Sequence, residues 1–185
     1  YIVRVKVCDS SMPELNCKTY TGPTSKPTGL LHKYGEGNGM YFGLLTGSFI
    51  NNTKGGVLRR AMGSIEDELN ADGTYKSTST TYKLNGIIST IDRLRIDGFN
   101  YSSQVYDSYD SSLVTDSCGW ITTSPMTAGK CQNWGSPLGE MIYEVVRYFA
   151  GKAAPTTGFS YSSSDTKIRD NQLGLALATW SDPYG

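Results

Sequence analysis

The chain is organised around the stretch from Cys131 to Gly151, CQNWGSPLGEMIYEVVRYFAG. Leu138, Met141, Ile142, Val145, Val146 and Phe149 recur at steps of three and four residues, which predicts an amphipathic helix with one apolar stripe. Ser136 is expected at its N-cap. Pro137 is expected at the first helical position, where a residue without an N–H leaves no donor unpaired. Gly151 is expected to close the helix in the left-handed conformation. The stripe is expected to bury the helix against the core, and a Gly-Ser-Pro turn entering a buried helix can be simply a good cap. At the carboxyl edge of an open α/β sheet it would also offer a hydroxyl to a ligand.

The rest of the chain gives weaker patterns. Tyr1, Val3, Val5 and Val7 alternate with Arg4 and Lys6, which predicts a half-buried strand up to Cys8. A polar loop with Pro13, Pro23 and Pro27 follows, then a short helix over Thr28 to Tyr34, ended by Gly35, Gly37 and Gly39. Met40 to Ile50 (MYFGLLTGSFI) is nearly all apolar and reads as a central strand covered on both faces. After a turn at Asn51 to Gly56, Val57 to Met62 reads as a second strand, antiparallel to the first, on an otherwise parallel sheet. Leu84, Ile87, Ile88, Ile91 and Leu94 mark a helix over Leu84 to Ile96. Long polar insertions are expected at about 63–83, 97–131 and 153–170, and there is no internal repeat.

At 185 residues the chain fits one domain with its own core. Its 17 basic and 17 acidic residues cancel, so nothing favours nucleic acid or an anionic membrane as a partner. No apolar run approaches the roughly 20 residues that cross a bilayer. The chain starts inside a strand-like pattern without Met, and it is expected to be a processed product or a fragment, a single but incomplete domain over residues 1–185.

Four cysteines allow three pairings, and their types alone do not choose among them. Spacing favours the local pairs, Cys8 with Cys17 and Cys118 with Cys131. Zinc is the competing reading, but neither pair has C-x-x-C spacing and the single histidine, His32, lies in neither loop.

Catalytic chemistry finds little support. A Ser-His-Asp or Cys-His arrangement would have to use His32, and no G-x-S-x-G elbow accompanies it. His32 therefore reads as a surface helical residue. The Gly35–Gly39 spacing lacks the lysine of a phosphate loop. Asp107 and Asp110 are loosely spaced for a cation loop and read as solvated acids. Loop tyrosines and tryptophans such as Tyr101, Tyr106, Tyr109 and Trp120 suit sugar stacking, partner anchoring or simple cover of the core.

Taken together, VRVKVC, KPTGLLHKY, MYFGLLTGSF, NTKGGVLRR, CGWITT and WGSPLGEMIYEVVRYFAGKAAP resemble, in this order, the amino-terminal region of the large type IV pilus tip-associated assembly and adhesion proteins. The resemblance implies a partial von Willebrand factor A-like open α/β sheet with flanking helices and long disulfide-pinned insertions. It implies a non-enzymatic adhesin or assembly factor of the bacterial fimbrium, extracellular at the cell surface or pilus tip and reached through the periplasm. Pilus subunits or minor pilins, and a host or abiotic surface, are the implied partners. The oxidising setting supports the pairs Cys8–Cys17 and Cys118–Cys131. In A-type domains a Mg²⁺ or Ca²⁺ site uses a Thr at the turn before a helix, and Ser136 stands at that position. The D-x-S-x-S loop and the last Asp are not in this sequence, so a metal at Ser136 is expected only where missing flanks complete the site, and no cofactor is expected in this chain. The family's calcium-binding propeller is likewise absent. Two alternatives are a structural or filament-forming subunit pairing through open sheet edges, and a carbohydrate-binding module.

Overall fold

A computed structural model describes residues 3–9, 14–21, 25–76, 86–94, 99–100, 102, 105–106, 128–129, 132 and 135–185. In chain order these hold β1 (Cys17–Thr19), β2 (Ser25–Pro27), α1 (Leu30–Gly35), β3 (Tyr41–Thr46), β4 (Val57–Ser64), α2 (Ile87–Arg93), β5 (Phe99–Asn100), β6 (Val105–Tyr106), α3 (Leu138–Phe149) and α4 (Arg169–Gln172). Short 3₁₀ turns at Glu36–Asn38 and Ile65–Glu68 follow α1 and β4. The result is a small mixed α/β fold.

The β3–β4 hairpin is its centre. The apolar run and the turn after it fold back as the sequence predicts, with Tyr41 opposite Ser64 and Thr46 opposite Val57. The surrounding sheet differs from the expectation. Among the described residues the strands form three two-stranded sheets, and every pair is antiparallel. Among the described residues no parallel strand adjoins β3, and Tyr41 and Gly43 are exposed while its other residues are half-covered. The amino-terminal alternation does not form a strand either. Val3, Val5 and Val7 are exposed and unpaired with any described strand, because alternation alone cannot bury a face without a sheet to receive it. Only Cys8 at the end of that run is buried, and it is disulfide-bonded to Cys17.

Burial concentrates on β4 and the carboxyl-terminal segment. Leu58, Tyr148 and Trp180 form the core cluster, with Ala61, Met62 and Ala178 packed against it. Tyr148 meets Trp180 edge to face, with ring centroids 5.6 Å apart, and its hydroxyl accepts the Met62 N–H. The Ala178 N–H donates to the Leu58 carbonyl, laying the carboxyl-terminal segment along β4.

Beside this cluster lies a fully buried ion pair. Arg59 leaves β4 and reaches Asp170 of α4 at 2.5 Å, both side chains shielded from water. Nη2 also donates to the Gly47 carbonyl, Nη1 to Tyr161 Oη and the Ala176 carbonyl, and Nε to Thr46 Oγ1. Every N–H of the guanidinium thus has an acceptor. Asp170 spends its second oxygen on the Phe49 N–H, 2.9 Å away. Burial pushes the Tyr161 phenol up to about 12, against the pull of Arg59, so the hydroxyl stays neutral and accepts from the guanidinium.

Removing one partner would leave a buried charge unpaired. Asp170→Ala is expected to cost about 3–5 kcal/mol in urea unfolding, and the double variant Arg59→Met with Asp170→Leu to recover much of that loss. An Asp170→Ala protein within about 1 kcal/mol of wild type would mean that the pair behaves like an exposed one.

Candidate functional site

Ser136, which sequence reasoning singled out, lies just before α3. The helix begins at Leu138, with Pro137 as the N-cap and no side-chain cap hydrogen bond. Ser136 is therefore one position too early to cap, which corrects the expected start. The shift has a simple cause. The buried Pro137 turns the chain and supplies the carbonyl that accepts the Met141 N–H at 2.9 Å, closing the first turn without a hydroxyl. Ser136 itself is exposed. At the other end the Gly151 N–H donates to Tyr148 and the Lys152 N–H to the Arg147 carbonyl, with Gly151 at a φ of 71°. This is the glycine-closed end that the sequence predicts.

The sides of the helix are the larger correction. The apolar stripe expected to face the core is mostly turned outward: Leu138, Ile142, Val145, Val146 and Phe149 are exposed. The residues turned inward include Glu144, Arg147 and Tyr148. Glu144 is wholly buried and accepts from both the backbone N–H and the hydroxyl of Thr156, while Arg147 Nη2 donates to the Ala154 carbonyl. The loop after the helix thus folds back over its charged side. Spacing shows that a helix has two faces, but it does not show which one a loop will claim.

A concavity lies around α1. Leu15, Lys18, Leu30, His32, Lys33 and Glu36 help to line a cavity of about 700 Å³. His32 is half-buried: its Nδ1 accepts the Gly29 N–H at 3.1 Å, and its Nε2 lies 3.1 Å from Tyr75 Oη. Both ring nitrogens hold the local structure. Glu36 accepts from Lys18 Nζ and Tyr20 Oη. Burial raises its pKa, but these two hydrogen bonds outweigh burial and hold the carboxyl below its usual range. Sequence reasoning missed Glu36, since nothing in its spacing marks it.

Among the described residues, Cys8, Glu14 and Cys17 are the acid, sulfur or imidazole side chains close enough together to share a metal ion. Their two sulfurs are joined in a disulfide, which removes the thiolates that a metal would need. Cys118, Cys131, Asp107, Asp110, Tyr101, Tyr109 and Trp120 lie outside the described residues. No described helix is long and apolar enough to cross a membrane.

Comparison with known proteins decides the family. A family model described as PilY1 homolog, second domain, matches residues 42–185. The chain belongs to the PilY1-homolog family. Along its whole length it is 40% identical, over 191 aligned residues, to the type IV pilus biogenesis factor PilY1 homolog of Xylella fastidiosa (strain Temecula1). The chain spans 12% of that relative's length. No solved structure matches it. The match overturns one part of the sequence reading. The stretch corresponds to the second domain of PilY1 homologs, and its assignment to an amino-terminal A-type region does not stand.

The depressed Glu36 pKa gives a pH signature. Its stabilisation is present above the unfolded carboxylate pKa of about 4.3 and is lost as pH falls through the lower folded value. The melting difference between wild type and Glu36→Gln is therefore expected to be full at neutral pH and to shrink below about pH 4. A difference that holds constant to strongly acid pH would contradict the arrangement.

Proposed function

We propose that this stretch is a non-enzymatic module of a type IV pilus-associated biogenesis and adhesion factor, working outside the cytoplasm at the cell surface or pilus tip. The observation that carries the reading is the match over the whole chain, at 40% identity, to a protein named as a pilus biogenesis factor. The Cys8–Cys17 disulfide supports an oxidising compartment, reached through the periplasm. Pilus subunits or minor pilins, with a host or abiotic surface beyond them, are the partners that the reading implies. The near-neutral charge balance supports contact through packing and hydrogen bonds more than through long-range attraction. A Cys118–Cys131 pair is part of the proposal.

Two measurements test it. Cells in which the stretch is removed in frame from the chromosomal gene are expected to lose surface pili and twitching. Normal piliation would contradict the biogenesis role. Peptide mapping of the protein purified from its host without reductant is expected to return Cys8 linked to Cys17 and Cys118 linked to Cys131. Free thiols throughout, in a cytoplasmic pool, would contradict the location.

A further inference from the structure

The polarity of α3 is reversed with respect to the molecule it belongs to. Its wholly buried side chain is a carboxylate, Glu144, while Leu138 is 60% exposed, Ile142 64% and Val146 60%. Val145, Phe149 and Tyr143 are also exposed, and Tyr184 extends the patch, its ring centroid 6.2 Å from that of Phe149. Single exposed apolar residues are ordinary, but a contiguous patch of them marks an interaction site. The steps 138, 142, 145 and 149 run four, three, four, the seam along which one helix packs on a partner. No charge interrupts it. The charged residues of α3, Glu140, Glu144 and Arg147, all fall on the other side. Gly139 flanks the seam, and a side chain there would touch nothing within 4 Å, which leaves room for a partner's backbone.

Rotating the helix cannot hide this face. Glu144 is bonded to Thr156, Tyr148 is bonded to Met62 and packed on Trp180, and both would have to be given up. The inward side is fixed by polar contacts, and among the described residues nothing covers the outward side.

We infer that the outer face of α3 is the docking surface for another domain of the same polypeptide, one that presents an apolar, uncharged surface. Two findings favour that occupant. The family model is that of a second domain, and the matched relative is mostly other sequence, this stretch being 12% of its length. A domain on the same chain is present at an effective concentration of millimolar order, so an interface of about 600–1,500 Å² closes without high intrinsic affinity. A second copy carries the same face but has no tether to raise its local concentration. The inference rests on the family's domain organisation and not on the pilus reading, so either can fail alone.

Thiol labelling at a substituted position tests it. Val146→Cys in the 185-residue chain is expected to react at the rate of an open thiol. In the whole natural polypeptide that carries the stretch, it is expected to react about tenfold or more slowly. Equal rates in the two settings, fast or slow, would overturn the inference. Ile142→Glu is the companion variant. In the 185-residue chain it is expected to leave the melting midpoint unchanged, because position 142 faces water there; a large drop would place this face inside the domain and overturn it. Sedimentation of the wild-type chain at micromolar concentration is expected to show a monomer. A dimer abolished by Ile142→Glu would assign the face to a second copy and also overturn it.

Discussion

The buried pair of Arg59 and Asp170 is the contact on which the other parts converge. One guanidinium reaches β3 at Thr46, the following turn at Gly47, the loop at Tyr161, α4 at Asp170 and the carboxyl-terminal segment at Ala176. Taking both charges from water costs several kcal/mol per ion, and only near-complete hydrogen bonding offsets that cost. The geometry meets that condition. Such a pair contributes little net attraction, yet it tolerates few alternative arrangements. It therefore fixes how the last fifteen or so residues lie against the hairpin more firmly than apolar contact alone would.

The same device recurs at smaller scale. Glu68, at the end of the 3₁₀ turn after β4, accepts the Ile87 and Ile88 N–H groups and so caps α2 from outside its own sequence. Glu144 holds Thr156, and Asp170 holds Phe49. In each case a buried carboxylate takes backbone N–H groups that a wider sheet or a local cap would otherwise satisfy. A fold with only two-stranded sheets among its described residues needs such long-range anchors, since few ladder bonds are available to tie its elements together.

These anchors also explain what could be read from the sequence. The β3–β4 hairpin, the Gly-closed end of α3 and the core of α2 were legible because periodicity and glycine act locally. The inward turn of Glu144 was not: its acceptor role depends on Thr156 arriving through a loop whose path no spacing encodes. The apolar stripe of α3 was read correctly as a stripe and wrongly as a core face, because a pattern gives the face of a helix and never its partner. The strand expected before Cys8 failed for a similar reason, since its valines find no described sheet to cover them. The pilus family was visible in the joint order of motifs, whereas the position those same motifs were given within the longer protein, its amino-terminal region, was misplaced.

Polar anchors fix the inside of the domain, and the apolar outer face of α3 stays exposed. That division depends on the Arg59–Asp170 clamp holding the carboxyl-terminal segment in place. Native-state amide hydrogen exchange measures this directly, residue by residue. The Phe49 N–H on Asp170 and the Ala178 N–H on Leu58 are expected to exchange only with global unfolding, at the same free energy as the β4 amides. If Phe49 and Ala178 exchange by local opening while β4 stays protected, the clamp is not what holds this fold together.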